Sequence, residues 1–137
     1  MSFWHKLFGR KTSPERIRRL WEEATKLGRT DGERRQAIGI YTELLTIIES
    51  GIDGTYKLND ETCDVCPIFR NRAVAYRGLK NYSAALEDLA RELEIAQRRV
   101  GAAGKLPADV ILADEMRVLK CQQIIAEIQD RQRGFAP

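Results

Sequence analysis

The chain has 137 residues, a formal net charge of +3, 43% hydrophobic residues and 31% charged residues. That composition suits one compact domain with a sizeable core and excludes a disordered tail. The charge is too mild to argue for nucleic acid, no apolar run approaches the roughly 18 residues of a membrane span, and three cysteines are too few for a disulfide scaffold. The expected setting is reducing and cytoplasmic.

The chain opens with MSFWHKLFGRK (1–11), in which Phe3, Trp4, Leu7 and Phe8 share one face of a short helix beside Lys6, Arg10 and Lys11. His5 and Lys6 interrupt the apolar stretch, so it is no secretory signal. As an amphipathic segment (1–12) it can rest aromatics among lipid headgroups and basic residues on anionic lipid. It is too short to hold a membrane alone, and folding back on the core or meeting a partner are the other readings. An opening of this kind suggests a bacterial source and allows a peripheral place at the inner face of the membrane.

Helix signals follow. Ser13-Pro14-Glu15 reads as an N-cap, a proline at the first helical position and an early acid. Ile17, Leu20, Trp21, Ala24 and Leu27 then recur at spacings of three and four. Gly28 to Gly32 breaks the pattern, and Asp31 can cap a second helix holding Ala37, Ile38, Tyr41, Leu44, Leu45 and Ile48. The segment 51–65 is polar, glycine-bearing and without clear period, and is expected to be an irregular loop. Pro67 starts a third helix through Phe69, Ala73, Val74 and Tyr76. Asn81 starts a fourth with Ala85, Leu86, Leu89, Leu93 and Ala96. GAAGKLP (101–107) is a break, and a last helix over 107–131 carries Ile111, Leu112, Val118, Leu119, Ile125 and Ile128. No run of alternating β-branched residues reads as a strand.

Shifting the second half back by 48 residues places Phe69 on Trp21, Ala73 on Thr25, Ala85 on Ala37, Leu86 on Ile38, Leu89 on Tyr41 and Leu93 on Leu45. Large meets large and small meets small. In a helix hairpin the small residue lets two backbones approach while bulky neighbours interlock across the seam. Tyr82, just past the turn, can pack over it and set the angle.

These positions resemble the tetratricopeptide repeat (TPR). Phe69, Ala73, Tyr76, Tyr82, Ala85 and Leu89 match its motif, with Glu92 where a small residue is usual. In the first unit Trp21, Thr25, Ala37 and Tyr41 match, while Gly28, Arg34 and Leu44 depart. The family repeats every 34 residues, so this spacing implies an insertion of about 14, placed at 51–65. The resemblance implies an all-α fold over 13–132. Two helical hairpin units of right-handed solenoid type, about 14–50 and 66–100, would be closed by a capping helix at 107–131. Self-association, as a homodimer, would cover what that helix leaves open.

The resemblance also implies function. First helices of such repeats line a concave peptide-binding surface. Carried over, Arg19, Glu22, Lys26 and Arg29 face it from the first unit, and Arg70, Asn71, Val74 and Arg77 from the second. The set is mostly basic, which favours an acidic segment or a terminal carboxylate gripped by arginine. Asn71 matches one position of a carboxylate clamp known in the family; Glu22 and Lys26 do not match the others. The bland alternative is solvated helix charge, since Glu22 and Lys26 form an i, i+4 pair that needs no ligand.

Cys63-Asp-Val-Cys66-Pro67 is the remaining constellation. Pro67 puts Cys66 near a helix N-terminus, where the dipole favours a thiolate. A redox pair lacks the βαβ setting such enzymes use. A structural zinc would need two further ligands, and Cys121 and His5 lack partner spacing. The plain reading is two small residues where the loop rejoins the core. No phosphate loop and no acid–base pair stands out, and no basic face interleaved with aromatics suits nucleic acid. The expectation is a non-enzymatic adaptor or scaffold without a cofactor, whose partner is another protein or an acidic peptide. A metal- or redox-responsive protein built on Cys63 and Cys66, or a membrane-peripheral factor using residues 1–11, is the alternative.

Overall fold

A computed structural model describes residues 13–102 and 108–134. In chain order the elements are α1 (Pro14–Thr25), α2 (Asp31–Ile47), β1 (Thr55–Leu58), β2 (Glu61–Asp64), α3 (Cys66–Gly78), α4 (Tyr82–Gly101) and α5 (Ala108–Gln132). Each helix packs on the next in the chain. The short opening segment 1–12 and most of the 101–107 break lie outside the described residues.

Local signals explain where the helices start. The Ser13 hydroxyl accepts a hydrogen bond from the Arg16 amide, and Pro14 needs no donor partner there. At α2 the cap is Thr30 rather than Asp31: the Thr30 hydroxyl accepts from the Glu33 amide at 3.1 Å, and Asp31 is the first helical residue. One residue makes the difference because only the extended backbone at Thr30 aims its side chain at the exposed amides. Asn81 caps α4, accepting from Ala84. Before it, α3 ends with Lys80 in the left-handed region (φ 61°), and the Asn81 amide reaches back to the Tyr76 carbonyl. That is the glycine position of a helix C-terminus, here filled by lysine.

The segment 51–65 is not an irregular loop. β1 and β2 form an antiparallel hairpin, pairing Thr55 with Asp64, Tyr56 with Cys63, Lys57 with Thr62 and Leu58 with Glu61. Asn59 and Asp60 make a two-residue turn, with Asn59 at positive φ (56°), a conformation asparagine tolerates. The strand signals were a threonine, a tyrosine and an Asn-Asp turn, too short to show a period. Leu58 is buried and joins Tyr56, Cys63 and Val65 in the core. Gly54 explains how closely the hairpin docks. It has φ of +76°, and a Cβ there would lie 2.7 Å from Ile95 Cγ2 and 3.0 Å from Arg99 Nη2.

Two apolar clusters result. The first joins Ile17, Ala24, Ala37, Tyr41, Leu44 and Ile48 to the hairpin, Ile68 and Ile95. Within it Trp21 meets Tyr41 edge-on, with centroids 6.0 Å apart. The second gathers Ala73, Ala85, Leu89 and Ile128, with Tyr76, Tyr82, Ile124 and Ile125 around them. Ala37 and Ala85 are both buried, and each large aliphatic residue wholly withdrawn from water contributes about 1.5–3 kcal/mol. The described residues are thus mostly helical, with one small sheet.

Candidate functional site

The arginines of α3 are engaged by their own chain. Arg70 donates to both carboxylate oxygens of Glu92, from Nε at 2.6 Å and Nη2 at 3.1 Å, and Nη2 also reaches Cys121 Sγ at 3.3 Å. Glu92 is 0% exposed and accepts a further bond from Arg117 at 3.1 Å. Arg72 grips Asp88 through two bonds (2.8 and 2.6 Å), touches Thr42 and lies over the Tyr76 ring. Arg77 meets Glu127 of α5 at 3.3 Å. Arg70 and Arg77 therefore do not line an open basic groove, because α5 brings its own groups against that face. Glu92, the residue out of place in the repeat pattern, is the acceptor that makes this possible.

The network continues to the hairpin. Asp64 accepts from Arg99 at 2.8 and 3.1 Å, from the Cys66 amide at 2.9 Å and lies 3.3 Å from Arg117. Arg99 also donates to the Asp53 carbonyl at 2.7 Å and to the buried Asp114 at 3.4 Å. Burial pushes the Asp64 carboxyl up, but the bonds from Arg99 and Cys66 and the charges of Arg99 and Arg117 outweigh it and hold it below the ordinary carboxylate range. A hairpin, two long helices and the start of α3 are thus tied at one carboxylate. Asp64 is only half-buried, yet losing it would leave two largely buried arginines short of their acceptor, which is costly.

The same geometry decides the cysteines. Cys66 does sit at the head of α3, yet its thiol is pushed up to about 12, first by burial and then by the Asp64 carboxylate, against the pull of Arg99 and Arg117. Desolvation here exceeds the dipole effect. Cys121 is pushed up to about 11 by burial and by Glu92. All three cysteines are free, with Cys63 partly exposed. Among the described residues no group of three or more His, Cys, Asp or Glu side chains is placed to hold a metal ion.

A recess open to solvent lies elsewhere. A recess of about 210 Å³ between α1, α2 and α3 is lined by Thr25, Leu27, Gly28, Arg34, Ala37, Tyr41, Asn71, Val74 and Ala75. Asn71 and Val74 are the two residues of the expected second-unit set that remain there, and Val74 is 58% exposed. Burial raises the Tyr41 phenol above its usual range, and a hydrogen bond with Asn71 partly offsets this. Arg34 lies along Gly78, whose missing side chain leaves room for the guanidinium, and pairs with Asp31 at 2.8 Å. Arg19, Lys26 and Arg29 are exposed. Lys26 and Arg29 adjoin in sequence the Leu27 and Gly28 that line the recess.

No family model, curated protein or solved structure matches this chain. Sequence reasoning overlooked Arg34, Asp64, Arg99 and Arg117 as organising residues. Arg34 was visible as an anomaly where the repeat pattern has an aromatic. The other three carry no local signal, since the charged groups they pair with lie 15 to 53 residues away.

Proposed function

We propose that this protein is an interaction module of TPR-like, two-unit solenoid type, which holds a peptide or helix of a partner protein. The observation that supports this reading is the recess at Asn71 and Val74. It places an exposed valine and an apolar floor of Leu27, Ala37 and Ala75 beside polar groups of Arg34, Tyr41, Asn71 and Thr25. An apolar floor with a few convergent polar groups is the usual form of a small binding site. An apolar side chain of the partner would seat against Val74. Acidic residues beside it would meet Arg34 and the exposed Lys26, Arg29 and Arg19. No acid–base pair is assigned, and the protein is read as a non-enzymatic, cytoplasmic adaptor.

The test is affinity capture from the source cell's lysate, with wild type beside a Val74→Asp, Lys26→Glu variant of unchanged helicity. A partner kept only by wild type supports the reading. Equal retention of every partner by both proteins would sink it. Arg70→Glu is the wrong probe, because it sets a second carboxylate against buried Glu92 and so reports on folding.

A further inference from the structure

Helix α5 is apolar on two opposite sides. Cys121 and Ile128 are wholly buried against the rest of the chain, with Asp114 beside them. Leu112, Met116 and Leu119 are 57%, 61% and 65% exposed. At 3.6 residues per turn these three fall within about 60° of arc, roughly 180° from the buried line. A helix of this pattern is built to be covered twice.

The flanks of the stripe say by what. Leu112, Met116 and Leu119 are spaced as d, a and d of a heptad, which puts Glu115 at g and Lys120 at e. Both are exposed, and among the described residues neither has an ion-pair partner. In a parallel pair of such helices a g residue meets the e residue five places on in the other helix. Glu115 of one copy then meets Lys120 of the second, and Lys120 meets Glu115. An antiparallel pair would set like charge against like. Because the stripe points away from the protein's own core, a two-fold axis along α5 brings the two helices together while both cores stay on the outside. A shallow apolar recess beside it, lined by Val100, Val118, Leu119, Glu115 and Gln97, widens the contact.

We infer that α5 is a parallel, two-fold homodimer interface centred on Met116. Three apolar side chains and their flanks place it at the small end of specific interfaces, so the dimer is reversible. Sedimentation velocity of the full chain, run from micromolar to low-millimolar concentration, tests this. A concentration-dependent monomer–dimer equilibrium is expected, with Leu119→Glu remaining monomeric and its thermal melt unchanged. Either Glu115→Lys or Lys120→Glu alone weakens the dimer roughly tenfold, and mixing those two variants restores pairing as a heterodimer. A wild type that stays monomeric throughout, or a Leu119→Glu variant that dimerises as well as wild type, overturns the interface. Single charge variants that pair as wild type does overturn the parallel arrangement.

Discussion

The two ends of this molecule use arginine in opposite ways. Around α3, α4 and α5, Arg70, Arg72, Arg77, Arg99 and Arg117 all meet carboxylates of the same chain. Around α1 and the α1–α2 connection, Arg16 and Arg18 meet only well-exposed carboxylates, Glu43 and Glu61, and Arg19, Lys26 and Arg29 stay in water, the last two next in sequence to residues that line an open recess. Along the sequence the two groups look alike, as basic residues on polar stretches of the chain. What separates them is what packs opposite. Glu92 and Asp88 are buried on α4, Asp114 is buried on α5 and Glu127 lies on α5, whereas no further helix covers α1 in the same manner among the described residues. A cation near a surface becomes structural when a desolvated anion faces it, and stays available for a partner when none does.

The sharpest way to break this contrast is Glu92→Ala. It leaves the largely buried Arg70 without its carboxylate and Arg117 with Asp64 alone, and urea unfolding should show a loss of about 3–5 kcal/mol. A loss below about 1 kcal/mol, the range of exposed pairs, would mean the two ends do not differ as described. Gly54→Ala comes next, since it forces a side chain onto a positive φ and against Ile95. About 2–3 kcal/mol is expected from strain and overpacking together, measured by the same unfolding curves.

Asp64 makes the contrast dependent on pH. Its carboxyl is held low in the folded protein, so its contribution is present above the unfolded value of about 3.9 and fades as pH falls through the folded value. Asp64→Asn should therefore be less stable than wild type at neutral pH, with the gap closing below about pH 4. A gap that stays constant from neutral to acid would point to packing rather than charge. The thiols give a related reading. Cys66 and Cys121 are pushed up to about 12 and 11, so at neutral pH a disulfide reagent should modify the partly exposed Cys63 first. Equal rates at all three would refute the burial account. The Cys66 and Cys121 contributions are complete below the unfolded thiol value of about 8.5 and are lost as pH rises through the folded values.

The smallest stability effects belong to the open end. Val74→Asp and Lys26→Glu should each change stability by no more than about 0.5 kcal/mol, while partner capture is lost. Lys80→Gly should add about 1 kcal/mol by relieving the left-handed backbone at the end of α3. A thermal melt no higher than wild type would show that lysine carries no strain there.

Much of the helical order was legible because its signals are local. Ser13-Pro14 opens α1, Asn81 opens α4, and Trp21, Ala37, Tyr41, Ala85 and Leu89 sit where their three- and four-residue spacings place them. The hairpin was not legible, because four-residue strands carry too little period to stand out. The candidate recess was half legible: Asn71 and Val74 were named, while Arg34 counted only as a departure from a pattern. Arg70 and Arg77 pair with Glu92 and Glu127 of later helices, which nothing beside them in the sequence signals.

By itself, then, the sequence determined which stretches become helices and which faces of them are apolar, since caps and periodicity act within a turn or two of chain. Tertiary structure alone decided which charges remain available. Whether Arg70 reaches solvent or Glu92 depends on a residue 22 positions away and on α5 being folded over both. An ion pair is made by proximity and desolvation, and neither is written in the residues on one side of it.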